Sequence, residues 1–350
     1  MKSIKKIVCL ALSLAVIFSL SACNSSAKSE SASSSEGTSE KSSTAESSKE
    51  QTDSGKKLLI GFSQCTTDSP YYVALQDAAE KAAIAADAEF RLVNAANNVS
   101  KQNQDVQDLI QAGCDVIILD PVDSSSVTPA VKACVEADVP LVTVNRPANE
   151  EGATAHVGED NYKMGNLVGQ EAIKLLGGKG NASGKILEIM GSGGNNNTIN
   201  RSEGFHDAFE GENVEIVQSS YCDFNRAKAV AAAQDLLLAH PDVKLIYAHN
   251  DDMAVGGMQV AEKNGMQDVF VCGVDGLMEA VELIEEGKYS VTTMNDPQLQ
   301  GQESVLVAIQ ICNGEEVESF VDVGTTVITK DNVGEYITDQ MFATQVKEFK

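Results

Sequence analysis

The chain has 350 residues, 43% of them hydrophobic, and a formal net charge of −25 at pH 7. That length and apolar content are enough for more than one packed domain. The acidic balance, with no stretch where Lys or Arg gather, excludes nucleic acid as a ligand, and an anionic membrane surface too beyond any terminal anchor, because phosphate recognition needs basic surface.

In chain order the first feature is a targeting signal. Lys2, Lys5 and Lys6 precede an apolar run over residues 7–20, and Ser21, Ala22 and Cys23 follow it. A basic start, an apolar centre and small residues before a cleavage point make a secretory signal. The run is too short to stay in a bilayer as a spanning helix. Its ending, Leu20-Ser21-Ala22-Cys23, resembles a bacterial lipobox. The resemblance implies that Cys23 is lipidated and becomes the first residue of an extracytoplasmic protein anchored to the membrane; the alternative is an ordinary signal with an incidental cysteine. Removal of the three lysines leaves the mature chain more acidic still. Residues 24–57 are dominated by Ser, with Glu, Lys, Thr and Ala and no aromatic. Such a segment cannot bury enough apolar surface to fold, so it reads as a disordered tether with ends about 30 Å apart.

From residue 58 the pattern changes. Residues 58–62 are an apolar run that predicts a buried strand. A helix is expected over 71–86, a strand over 90–93, a helix over 99–111 stopped by Gly113, and a fully apolar strand over 116–119 ended by Asp120-Pro121. A helix over 124–137 and a strand over 140–144 follow. The alternation then restarts, with strands at 186–190, 214–217, 245–248, 269–274 and 290–294. Helices are expected at 198–209, 226–239, 253–264 and 277–286. Strands and helices alternating through short connections predict an α/β protein of two doubly wound parallel-sheet units. In such sheets ligands bind beyond the carboxyl ends of the strands.

The residues at those ends share a chemistry. They are Asp68-Ser69-Pro70-Tyr71-Tyr72, Asp120, Asn145-Arg146, Asn250-Asp251, Asp275 and Asn295. Carboxylates and amides bridge vicinal hydroxyls, Arg donates to ring and hydroxyl oxygens, and aromatic faces cover the C–H face of a sugar ring. The set suits a neutral polyhydroxylated ligand. For each residue alone, a turn or helix cap is the plainer explanation; the repetition across both halves is what points to a site. Asp251 is expected to reach the ligand and Asp252 to face the dipole of the helix that follows.

Other chemistries lack their residues. Cys65, Cys114, Cys134, Cys222, Cys272 and Cys312 are scattered without a CxxC pair and read as buried free thiols rather than zinc ligands. Gly191-Ser192-Gly193-Gly194-Asn195-Asn196 lacks the third glycine of a dinucleotide fingerprint, and there is no P-loop, nucleophile elbow or HExxH. No metal, cofactor or enzymatic activity is expected.

The motifs together carry a resemblance. Ser69-Pro70-Tyr71-Tyr72-Val73-Ala74-Leu75, Gln107-Asp108-Leu109-Ile110 with Asp115-Val116-Ile117-Ile118, and Pro121-Val122-Asp123-Ser124 are part of it. So are Val139-Pro140-Leu141-Val142 with Asn145-Arg146, Arg201-Ser202-Glu203-Gly204-Phe205, Asp223-Phe224-Asn225-Arg226, Asn250-Asp251-Asp252-Met253-Ala254 and Val274-Asp275-Gly276. From residue 58 to about 330 the chain resembles the ribose-binding-protein family, solute receptors of ATP-driven sugar importers with a type I periplasmic-binding fold. The resemblance implies two lobes joined by three hinge crossings, one of 58–158 with 296–324 and one of 159–295 with 325–350. It also implies a monomer that closes on one monosaccharide and docks on a permease. The implied contacts are Ser69, Tyr71, Tyr72, Asp120, Asn145, Arg146, Arg201, Phe224, Asn250, Asp275 and Asn295.

Several of these depart from the ribose pattern. Ser69 and Asp120 stand where it has Asn, Asn145 where it has Asp, Val274 where it has an aromatic, Tyr71 and Tyr72 where it has Phe, and Asn295 where it has Gln. A site that hydrogen-bonds hydroxyls discriminates sharply, so the expected ligand is a hexose, a galactofuranose-like sugar or an inositol rather than ribose. A receptor presenting occupancy to a histidine kinase or chemoreceptor is the alternative role. A sugar-responsive repressor of the same fold needs an N-terminal helix-turn-helix, where this chain has a signal and a Ser-rich segment.

Overall fold

The computed structural model describes residues 56–345. The signal and Cys23, residues 24–55 of the Ser-rich segment and residues 346–350 lie outside the described residues. Strand and helix alternate from the start: β1 (Leu59–Gln64), α1 (Pro70–Ala85), β2 (Glu89–Asn94), α2 (Val99–Gln111), β3 (Val116–Leu119), α3 (Thr128–Glu136), β4 (Leu141–Val144) and β5 (Ala155–Gly158). A second run follows: α4 (Asn161–Leu175), β6 (Ser183–Ile189), α5 (Asn196–Ala208), β7 (Asn213–Gln218), α6 (Arg226–Ala239), β8 (Val243–Ala248), α7 (Asp251–Lys263), β9 (Phe270–Cys272), α8 (Met278–Glu286) and β10 (Val291–Thr293). The chain closes with α9 (Pro297–Cys312), β11 (Phe320–Asp322), β12 (Val327–Thr329) and a 3-10 turn at Val333–Glu335.

The strands form two six-stranded sheets, ordered β11-β5-β4-β3-β1-β2 and β12-β10-β9-β8-β6-β7. Every pairing in the first is parallel, and in the second only β12 runs antiparallel, to β10. Parallel strands covered on both faces read as continuous apolar runs, as in the wholly buried Val116–Leu119 and Leu141–Val144. Accordingly, separate apolar clusters fill the two sides of each sheet. Ile117, Leu141 and Val131 lie in one on the α2–α3 side of the first sheet, and Met164, Phe205 and Tyr247 in one on the α4–α5 side of the second. The other two sides share one continuous cluster that includes Phe62, Leu75, Met253 and Phe342.

The chain passes between the sheets three times, from β5 to α4, from β10 to α9 and from β11 to β12. The α4–α5 crossing depends on missing side chains. A Cβ on Gly165 would strike the backbone carbonyl of Arg201, and one on Gly204 that of Tyr162. That contact fixes where Arg201 emerges. Local sequence sets the helix starts. Asn98, Asp160, Asn225, Asn250 and Asp296 each accept a hydrogen bond from the backbone three residues on.

Two expectations are corrected. The helix expected from residue 124 begins at Thr128, because Asp123 Oδ1 accepts from the backbone N–H groups of Ser125 and Ser126 and holds a turn there. Of the six cysteines, all free, Cys312 is exposed near the end of α9 while the other five are buried.

Candidate functional site

Every loop that carries a candidate residue leaves the carboxyl end of a strand. Ser69, Tyr71 and Tyr72 follow β1, Asn145 and Arg146 follow β4, Phe224 follows β7, Asn250 follows β8, Asp275 follows β9 and Asn295 follows β10. Together with Arg201 and Asn197 of α5 they line a cavity with about 250 Å³ of unfilled space. Ten of the eleven candidates from the sequence are thus brought together, from both sheets.

Asp120 is the eleventh and does not line the cavity. It lies fully buried one layer behind, accepting from Asn145 Nδ2 at 3.0 Å, Gln64 Nε2 at 3.2 Å and Cys65 Sγ at 2.9 Å. Burial pushes its carboxyl up, and Arg146 beside it opposes the shift. Its geometry is that of a residue orienting Asn145. Asp251 also differs from expectation. It is buried and points into the second sheet, accepting from Tyr289 Oη at 2.7 Å, Thr292 Oγ1 at 2.8 Å and the Leu277 N–H at 2.9 Å. Burial, then the nearby Asp275 charge, pushes it up to about 8. Asp252, at the start of α7, pairs with Arg226 at 2.9 Å.

On the first-sheet side, Arg146 Nη1 donates to the Pro121 carbonyl at 2.8 Å and Nη2 to Tyr72 Oη. Its guanidinium carbon stands 5.4 Å from the Tyr72 ring centre and 5.7 Å from that of Phe224 on the other side, a cation–π arrangement spanning the cleft. On the second-sheet side, Arg201 Nε donates to Asn161 Oδ1 at 2.8 Å and Nη1 to the His249 carbonyl at 2.5 Å, with Asp275 Oδ1 at 3.5 Å. Asp275 also accepts from Asn295 Nδ2 at 2.8 Å. Burial pushes its carboxyl up to about 6, with Arg201 and Asn295 opposing. Burial likewise holds the Tyr71 and Tyr72 phenols protonated, well above their usual range.

Two further observations mark the cavity. Asn145, Phe224 and Asp275 carry φ of 62°, 53° and 126°, backbone that L-residues seldom adopt. Such strain costs about 1–3 kcal/mol per residue and persists where the surroundings impose it. Three lining residues also bury a polar atom without a hydrogen-bond partner: Ser69 Oγ, Arg146 Nε and Asn197 Oδ1. Buried polar groups in native proteins are nearly always paired.

The sequence reading missed Asn197. It lies one residue past the Gly191–Asn196 stretch that lacks the dinucleotide fingerprint, and before the helix expected from residue 198. Its Nδ2 donates to Asn145 Oδ1 at 3.0 Å across the cleft. The run of three asparagines at 195–197, at a helix start beyond a strand, was the available signal.

Residues 60–316 match the family model described as a periplasmic binding protein domain. The chain belongs to that family. It is 33% identical over 266 residues to the ribose import binding protein of Bacillus subtilis (strain 168), covering 76% of this chain and 85% of the relative. A solved ABC transporter solute binding protein from Mycobacterium smegmatis, with bound glycerol, is similar at 46% identity and a TM-score of 0.80. The match covers 83% of this chain and all of the other. Another, from Bacillus halodurans C-125 with bound myo-inositol, is similar at 32% identity and a TM-score of 0.76, covering 82% and 99%. As a periplasmic binding protein the chain is an extracytoplasmic solute receptor of two α/β sheets, and its family consists of substrate-binding proteins. Among the described residues no group of three or more His, Cys, Asp or Glu could hold a metal ion.

Proposed function

We infer that this periplasmic binding protein captures one small polyhydroxylated solute, a monosaccharide or cyclic polyol, between two lobes and delivers it to an ABC importer. The observation that carries this is the trio of partnerless buried atoms on the cavity, a hydroxyl and a guanidinium N–H from the first-sheet side and an amide oxygen from the second. A solute with several hydroxyls, each both donor and acceptor, satisfies all three at once. The contacts are Ser69, Tyr71, Tyr72, Asn145, Arg146, Asn197, Arg201, Phe224, Asn250, Asp275 and Asn295, with Asp120 acting through Asn145.

The lobes are 58–158 with 296–324 and 159–295 with 325–350, turning about the three crossings. Contacts from both lobes coexist only when these are closed, so the solute shifts the population toward closure. The similar proteins that bind ribose and myo-inositol support the ligand class. The departures from the ribose pattern favour a hexose, a galactofuranose-like sugar or an inositol over ribose. The chain acts as a monomer, held at the membrane by lipid on Cys23.

Thermal melting of the mature chain with D-ribose, D-galactose, D-allose, myo-inositol, xylitol and glycerol tests this. A ligand that binds only the folded state raises Tm with its concentration over Kd. A strong shift with one polyol supports the reading; no shift with any overturns it.

A further inference from the structure

Glu159 is the one carboxylate on the first crossing between the sheets that turns wholly inward. It sits between β5 and α4, 4% exposed, with no cation in hydrogen-bond reach among the described contacts. Its Oε1 accepts from the backbone N–H of Asp296 at 3.0 Å, and its Oε2 from Gln300 Nε2. Both partners belong to the second crossing, between β10 and the first turn of α9. One side chain therefore ties two of the three crossings together.

Those ties continue to the cavity. Gln300 Nε2 also donates to Asn295 Oδ1 at 2.8 Å, and Asn295 Nδ2 to Asp275 Oδ1 at 2.8 Å. Asp275 lies 3.5 Å from Arg201, whose Nε donates to Asn161 Oδ1 at 2.8 Å. Asn161 Nδ2 returns to the Glu159 carbonyl at 3.1 Å. The circuit Glu159, Gln300, Asn295, Asp275, Arg201, Asn161 is closed, and three of its members line the cavity. Burial, then the adjacent Asp296 charge, pushes Glu159 well up, with the Asp296 N–H and the Arg201 charge opposing, so a carboxyl this buried carries a desolvation cost. An apolar residue would fill the space at less cost.

We propose that Glu159 is a positioning residue for solute capture: through Gln300 it sets the angle of the two crossings at which Asn295, Asp275 and Arg201 meet the solute together. It rests on the solute-receptor reading of the cavity and touches no solute itself. Loosening it lowers affinity by detuning the closed geometry, a coupling between hinge and site of the kind usually worth about 5- to 150-fold.

The test is a double-mutant cycle on the full chain, read as solute affinity by calorimetry and as ligand-free Tm. The probe is whichever of D-ribose, D-galactose, D-allose, myo-inositol, xylitol and glycerol binds the wild type most tightly. Glu159→Gln keeps the acceptor for Asp296 and sets two amide donors against each other at Gln300. It is expected to weaken affinity about fivefold or more. Gln300→Glu alone, facing Glu159, should do at least as much. The exchanged pair Glu159→Gln with Gln300→Glu restores the donor–acceptor match between positions 159 and 300 but not the donor to Asn295 Oδ1, so it should recover part, and only part, of the affinity, a rescue that loss of folding stability alone does not give. Unchanged affinity in Glu159→Gln, with or without a lower Tm, overturns the proposal while leaving the solute reading intact. A wild type that binds none of the six overturns both.

Discussion

On the first-sheet wall of the cleft the charge that faces the cavity is Arg146, with Asp120 buried one layer behind it. On the second-sheet wall Arg201 spends Nε and Nη1 on Asn161 and the His249 carbonyl, and the Asp275 carboxylate faces inward with it. Each wall holds a buried Arg and Asp, yet the first leaves a donor unpaired, Arg146 Nε, and the second offers acceptors, Asp275 and Asn197 Oδ1. On the proposed function, a solute held between them accepts on the Arg146 side and donates on the Asp275 side, which a hydroxyl-rich neutral molecule can do at once.

The sharpest way to break this contrast is to remove its facing charges. Asp275→Ala leaves Arg201 buried without its carboxylate and takes away the second wall's charged acceptor. Solute affinity should fall at least about a hundredfold, and the ligand-free Tm should drop as well. Arg146→Ala should cost a similar factor in affinity, since it removes the donor and the cation between the Tyr72 and Phe224 rings. Calorimetry and melting on both variants check this; a tenfold effect or less in either would mean that its wall does not grip the solute.

The next largest effect belongs to pH. Asp275 has a folded-state value of about 6, above the unfolded value near 3.9. The folded state therefore binds more protons across that window, and this group's contribution to ligand-free stability is present below about 4 and lost as pH rises through about 6. Solute binding needs the anion as acceptor and runs the other way, weakening as pH falls below about 6. Asp275→Asn should flatten both trends. Affinity that is constant from pH 7 to pH 5 in the wild type would contradict the acceptor role.

Smaller effects come from residues behind the walls. Asp120→Asn keeps the shape and removes the charge that orients Asn145, and should weaken binding about tenfold, the scale of one charge-assisted hydrogen bond. Asp252→Ala loses a part-exposed pair with Arg226 outside the cavity. It should change stability by under about 1 kcal/mol and affinity hardly at all. An Asp252 effect as large as that of Asp120 would move the site toward the mouth of the cleft.

The same contrast marks what could be read without coordinates. The apolar runs that become β1, β3, β4, β6 and β8 announced themselves, because strands buried on both faces leave no polar alternation to confuse. The residues after them were legible as candidates since ligands sit at strand ends in parallel sheets. What stayed hidden lay at the crossings. β5 is four residues with His156 in the middle, α4 carries Gly165 and Gly169 where the α4–α5 contact forbids a side chain, and α9 carries Gly301 against α1. Glycines selected by helix packing look like helix breakers when read along the chain. The depth of a carboxylate was hidden too: Asp120 and Asp251 follow strands as Asp275 does, and only tertiary packing turns the first two away from the cavity.

The most direct measurement is a calorimetric titration of the wild type, Arg146→Ala and Asp275→Ala with the one polyol that most stabilises the wild type against heat. A single solute gripped by both walls predicts one site per chain in the wild type and loss of binding in both variants. Full-strength binding in either variant would contradict it, leaving a solute held by one wall alone.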